Sequence, residues 1–399
     1  MTIPTDWIAL QMKKMFYPFS FYFLLYALMA SFVPFMVLFY QQLNFSGAQI
    51  GILTGVPPLI TLVAAPFLTG IADSTRRHTL IMGIGIIMTA ITTFMLPMLT
   101  SFAAIFILIM LFNIFFSPVS SLSDSAVMFM LGEERSMYGR IRLGGTIGWG
   151  VFAQIAGFLL YTYGLNVLFY VCTALALVNF FVSRKLAFGK QEQHTSSRGS
   201  VWTFLTNRCW VFFLLSVIIG GLGAVSVASY LSPYLKDLGA NGKQIGFAIT
   251  IATVTELPVF FFGNHLVKRF GPDRLISIAL ALIVIRTLLF GLVNTIFLAI
   301  LVQGIGGLFF PAMWSACVTY ADEHAPAGLK STAQGILGTA TFGVGSSIGG
   351  LICGPLLGSL GGRGMFLVLG IIMAVGLGLL EILKRILPDE PIPQPISSD

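Results

Sequence analysis

Two residues of opposite charge, Asp124 and Arg142, lie inside otherwise apolar runs. A carboxylate and a guanidinium in such surroundings can accept and donate hydrogen bonds to hydroxyl groups, the Arg with bidentate geometry. Trp149 follows Arg142 by seven residues, two turns along the same helix face, where an indole could stack on the apolar side of a sugar or a base. A plainer arrangement of the same three residues is an ion pair beside a packing Trp. Glu256 stands 13 residues before Arg269, and Arg286 stands 12 after Arg274. At 1.5 Å per helical residue each is roughly 18–20 Å from the basic end of its segment. Desolvation favours the neutral form of a carboxyl at that depth and a neighbouring guanidinium favours its ionised form, a balance suited to loading and releasing a proton. The alternatives for Glu256 and Arg286 are a permanent ion pair that locks two helices, or direct contact with a ligand. Asn113, Gln303, Tyr230 and Trp314 are further candidates to line a cavity, although Gln, Asn and Tyr also serve as hydrogen-bond glue between helices.

The segments that must carry these groups belong to a bilayer. The 399 residues are 56% hydrophobic and only 9% charged, against about 25% charged in a soluble domain. A span needs roughly 20 apolar residues of helix. Dividing the chain at charged or turn-rich breaks gives twelve: 15–40, 50–71, 79–99, 102–131, 138–161, 165–185, 208–235, 244–267, 274–293, 296–320, 330–357 and 363–386. An ionisable side chain at membrane depth is expensive and is a functional candidate by default. The breaks are short, so neighbouring spans should be antiparallel within an all-α helical bundle.

Lys13, Lys14, Arg76, Arg77, Arg135, Arg140, Arg184, Lys185, Lys268, Arg269, Arg274, Lys384 and Arg385 all fall on one side of this arrangement, whereas Lys236, Lys243 and Arg363 fall on the other. The positive-inside rule then places both termini in the cytoplasm, in a multi-pass protein of the inner membrane. The net charge of +7 therefore reports topology and gives no reason to expect nucleic acid. No removable signal peptide is expected from the N-terminal pattern. Cys172, Cys209, Cys317 and Cys353 read as small buried hydrophobes, and His78, His194, His265 and His324 fall in loops or near span ends. No metal and no cofactor is expected, and with no GxxxxGK[ST] loop in the sequence neither is ATP-driven pumping.

The longest polar stretch divides the chain into an N-terminal six-helix bundle (1–185), a cytoplasmic linker (186–207) and a C-terminal six-helix bundle (208–399) with a short tail. The halves echo each other. Ser46-Gly-Ala-Gln-Ile-Gly51 opens the second span, and Asn241-Gly-Lys-Gln-Ile-Gly246 opens the eighth. A parallel repeat of six spans is the arrangement of carriers that work by alternating access.

This organisation resembles the major facilitator superfamily. The stretch Gly70-Ile-Ala-Asp73-Ser-Thr-Arg76-Arg77-His78 is similar to its signature loop, with the glycine one position closer to the Asp and Ser74 where a basic residue normally stands. Gly139-Arg140-Ile-Arg142-Leu-Gly144-Gly145-Thr-Ile-Gly148-Trp149 is similar to the fifth-helix motif of the lactose permease and the nucleoside:proton symporters. Asp124 stands where the permease has its sugar-binding glutamate. The resemblance implies a substrate-binding role for Asp124, Arg142 and Trp149, and a conformational latch for Asp73, Arg77 and Arg140, which a solvated loop would also explain. The tenth span departs from the permease: Gln303, Gly306 and Phe309 stand in place of its lysine, histidine and glutamate. Glu256 is left as the main proton-binding candidate.

The expectation is thus a secondary transporter that moves a sugar, glycoside or nucleoside with a proton as coupling ion, functional as a monomer. A proton-driven exporter of amphipathic compounds is the first alternative. An integral-membrane enzyme or sensor is disfavoured because no His/Asp/Glu cluster is present.

Overall fold

The computed structural model describes residues 5–189, 204, 206–325 and 329–386, which are helical with no strand among them. Hydrocarbon offers no partner to a backbone N–H or C=O, and a helix bonds these groups within itself. The spans are α1 (Met15–Gln42), α2 (Gly47–Thr75), α3 (His78–Met98), α4 (Phe102–Leu131), α5 (Arg135–Tyr163), α6 (Asn166–Ser183) and α7 (Arg208–Asp237). They continue with α8 (Gly242–Phe270), α9 (Pro272–Leu292) and α10 (Ile296–Glu323). The last helical stretch, Thr332–Ile386, has 55 residues, about 80 Å of helix against a hydrocarbon core of about 30 Å. It turns back at Gly361, whose φ of 67° is non-helical, and so supplies α11 (332–360) and α12 (362–386). Asp237 at the end of α7 accepts a hydrogen bond from the Gly362 N–H at 2.9 Å and fixes that turn. Most of the expected linker, 190–203 and 205, lies outside the described residues, as does the tail from 387.

The echoed motifs are paired capping boxes. Ser46 N–H donates to Gln49 Oε1 at 2.9 Å and Gln49 N–H to Ser46 Oγ at 3.3 Å. Asn241 and Gln244 repeat the exchange at 2.9 and 3.0 Å.

The chain forms two compact units, and α2 and α8 are each divided between them. One comprises Met1–Phe45, Ile60–Glu192 and Asn241–Thr250; the other comprises Ser46–Leu59, Gln193–Ala240 and Ile251–Asp399. In the first, α1 lies against the glycine-rich start of α5. A Cβ at Gly148 would come 2.2 Å from the Phe23 carbonyl oxygen, and one at Gly145 would come 2.8 Å from the Tyr26 ring. These glycines let α1 approach closely enough for its tyrosines to reach Arg142. The start of α8 packs on α5 in the same manner: a Cβ at Gly157 would meet the Gly242 carbonyl oxygen at 2.4 Å, and Thr250 Oγ1 donates to the Gly150 carbonyl at 2.8 Å.

In the second unit the start of α2 packs on α11 through Gly47, Gly51 and Gly55 against Gly350, Gly354 and Gly358. A Cβ at Gly354 would stand 2.2 Å from the Gly51 nitrogen. Small residues at intervals of four are the usual means by which membrane helices bring their backbones together. Here α10 is interrupted between Gly306 and Phe309, and α11 carries a π-helical turn over Thr339–Gly345, a local widening often found at functional positions.

Candidate functional site

The first unit gathers Asp124 of α4 and Arg142 of α5. Arg142 Nη1 donates to Asp124 Oδ1 at 2.9 Å, with the two side chains 37% and 38% exposed. Three tyrosines complete the cluster. Tyr22 and Tyr138 donate their hydroxyls to the same Oδ1, Tyr138 at 3.0 Å, and Arg142 Nη2 donates to the Tyr26 hydroxyl at 2.7 Å. The guanidinium carbon stands 5.1 Å and 5.5 Å from the Tyr22 and Tyr26 ring centres, within cation–π range.

Among the described residues this network consumes one carboxylate oxygen and leaves the other available. Tyr26, already an acceptor from Arg142, keeps its own O–H free to donate. A hydroxyl group is both donor and acceptor, so Tyr26 O–H and Asp124 Oδ2 together present its complement. The opposite charges of Asp124 and Arg142 balance, which suits a neutral polar ligand. Trp149 is half-buried two turns along α5.

The second unit holds a buried charge. Arg286 of α9 is 8% exposed and Gln303 of α10 is 5% exposed. Arg286 Nη2 donates to Gln303 Oε1 at 2.5 Å, Nη1 donates to the Gly306 carbonyl at 3.4 Å, and Nε has no partner. The Gly306 carbonyl lies where α10 is interrupted, between Gly306 and Phe309. Thr255 of α8 donates to the carbonyl of Gly304 at 2.7 Å. A Cβ at Gly306 would fall 2.1 Å from Arg286 Nε, so only glycine there leaves the guanidinium in this position. Glu256 interacts electrostatically with Arg286, but the structure does not bring the two into a hydrogen-bonded ion pair; the neutral partners hold the guanidinium instead.

The remaining candidates are dispersed. Asn113 Nδ2 donates to Ile109 of its own helix at 2.8 Å. Tyr230 is fully buried, bonded to Thr54 Oγ1 at 2.7 Å and donating to the Gly350 carbonyl at 3.0 Å. Trp314 packs against Phe310 and Phe342 at ring separations of 6.3 and 5.1 Å. Asp73 pairs with His78 Nε2 at 2.8 Å and meets neither Arg77 nor Arg140, whose Nη1 lies 3.7 Å from the Met137 sulfur. Sequence reasoning missed Tyr22, Tyr26, Tyr138, Thr255 and the break at Gly306. The spacing of four in Tyr22/Tyr26 and in Tyr138/Arg142 puts each pair on one helix face and was the signal available.

Residues 19–368 match the family described as MFS_1 like, and the chain belongs to it. It is a transporter of the major facilitator superfamily, not an enzyme. The maltose permease of Geobacillus stearothermophilus is 26% identical over 379 residues, covering 94% of this chain and 95% of the permease. The multidrug resistance protein MdtG of Escherichia fergusonii is 25% identical over 360 residues, covering 84% and 86%. The crystal structure of the nucleoside transporter NupG superimposes with a TM-score of 0.79 at 18% identity, covering 94% of this chain and 99% of that one, a likeness of fold.

Proposed function

We propose that this transporter carries a small, neutral, hydroxyl-rich solute, a sugar, glycoside or nucleoside, into the cell together with a proton. The observation that carries the reading is the half-exposed Asp124–Arg142 pair, with its open Oδ2 and the free Tyr26 hydroxyl. Asp124, Arg142 and Trp149 bind the solute in this account. Glu256 takes the proton, and Arg286, held by Gln303 in the resting arrangement, sets the charge that Glu256 meets. Asp73, here on His78, supplies the acidic half of a latch for which Arg77 and Arg140 are the basic candidates. The two six-helix bundles alternate access to the site as one monomer in the inner membrane, with both termini in the cytoplasm. The named specificity of the maltose permease supports the sugar reading.

The similarity to a multidrug resistance protein favours a second reading, expulsion of amphipathic compounds by the same fold. Uptake of radiolabelled sugars and nucleosides into cells expressing the protein separates the two. The proposal expects one such solute to accumulate and Asp124→Asn to abolish its accumulation. Energised expulsion of a dye, with no accumulation of any sugar or nucleoside, would overturn it.

A further inference from the structure

A groove of about 270 Å³ runs between α3 and α6 at the basic end of the first unit. It is lined by Leu80, Gly83, Ile84, Ile87 and Met88 of α3, by Phe180 of α6 and by Arg184 just beyond the end of α6. Leu80 and Ile84 are 46% and 44% exposed, so the groove opens outward to the surroundings of the bundle. Gly83 keeps its floor open, since a Cβ there would already come 3.2 Å from the Phe180 ring. From Leu80 to Met88 the groove follows about 12 Å of helix.

We propose that this groove binds an anionic phospholipid, with an acyl chain along α3 and the phosphate on Arg184. The apolar wall alone gives no selectivity, because lipid tails are as apolar as the side chains they would touch. Discrimination therefore falls to the head group. Arg184 stands 5.7 Å over the Phe180 ring and pairs with no carboxylate among the described residues, which leaves its planar fork to a phosphate. Charge is concentrated here: Arg76, Arg77 and Lys185 are exposed and likewise form no ion pair among the described residues, while nearby Asp73 is held by His78. Basic pockets between membrane helices select anionic head groups. A zwitterionic lipid brings its own cation into this field and gains less.

The test is native mass spectrometry of the full chain extracted from nanodiscs that contain equal amounts of phosphatidylglycerol and phosphatidylcholine. Phosphatidylglycerol should be retained in preference. Arg184→Gln should weaken its retention about fivefold, the contribution of one basic residue at an anionic surface. Arg274→Gln, which removes an exposed cation of the second unit, should leave retention unchanged. In thermal unfolding, phosphatidylglycerol should raise the midpoint of the wild type and not that of Arg184→Gln, while Arg184→Lys should keep part of the shift. Equal retention of the two lipids, or equal loss in Arg184→Gln and Arg274→Gln, would overturn the proposal. So would displacement of the lipid by soluble glycerol phosphate, since a site for the head group alone needs no groove.

Discussion

Arg142 and Asp124 meet through a single carboxylate oxygen: Nη1 reaches Oδ1 at 2.9 Å, and Oδ2 is left without a partner among the described residues. Nη2 is turned to the Tyr26 hydroxyl instead. The guanidinium thus orders two acceptors on different helices and holds the open oxygen and the free hydroxyl in fixed positions.

Lysine should not replace arginine here. A single ammonium cannot reproduce two donors aimed at separate partners, so Arg142→Lys is expected to lose transport nearly as fully as Arg142→Gln. Each hydrogen bond to a charged group contributes about 1.5–3 kcal/mol, so a loss of at least about tenfold in initial uptake rate is expected.

Tyr26→Phe keeps the ring beside Arg142 and removes a hydroxyl with two roles, the donor assigned to the solute and the acceptor of Arg142 Nη2. The neutral hydrogen bond to the solute alone is worth about 0.5–1.5 kcal/mol, so the KM for uptake should rise at least about 2-fold, with a fall in the unfolding midpoint from the unpaired Nη2. An unchanged KM would remove Tyr26 from the site.

Two glycines should respond differently to alanine. At Gly354 the added carbon meets the backbone of Gly51, which cannot move aside, so Gly354→Ala should lower stability by about 1–3 kcal/mol. At Gly306 it meets the Arg286 side chain, which is displaced from Gln303. Gly306→Ala should therefore impair transport by a larger factor than it impairs thermal stability. Uptake and unfolding midpoints measured on both variants check the contrast.

The twelve spans were legible because hydrocarbon imposes an apolar run of fixed minimum length on each helix. The echo of Ser46–Gly51 in Asn241–Gly246 was also legible as a repeat, and its cause is a pair of capping boxes above glycine faces. What those glycines touch was not legible, since Gly51 meets Gly354 at the far end of the chain. The Asp124–Arg142 pair could be read from charge inside apolar runs. Its tyrosines were hidden among many aromatic residues, each of which is also a plausible packing group. The helices that carry Glu256 and Arg286 were readable, but the partner of Arg286 was not. It depends on the tertiary approach of α9 to α10, where Gln303 and the Gly306 carbonyl meet the guanidinium.

Proton coupling through Glu256 is the central claim, and solute-induced pH change tests it most directly. Cells or vesicles expressing the protein, in lightly buffered medium, receive the solute that the uptake screen identifies, with Glu256→Gln in parallel. Transient alkalinisation of the medium is expected with the native protein and none with the variant, which should still exchange solute across the membrane. Solute entry without a pH change, or an undiminished change in Glu256→Gln, would contradict the account.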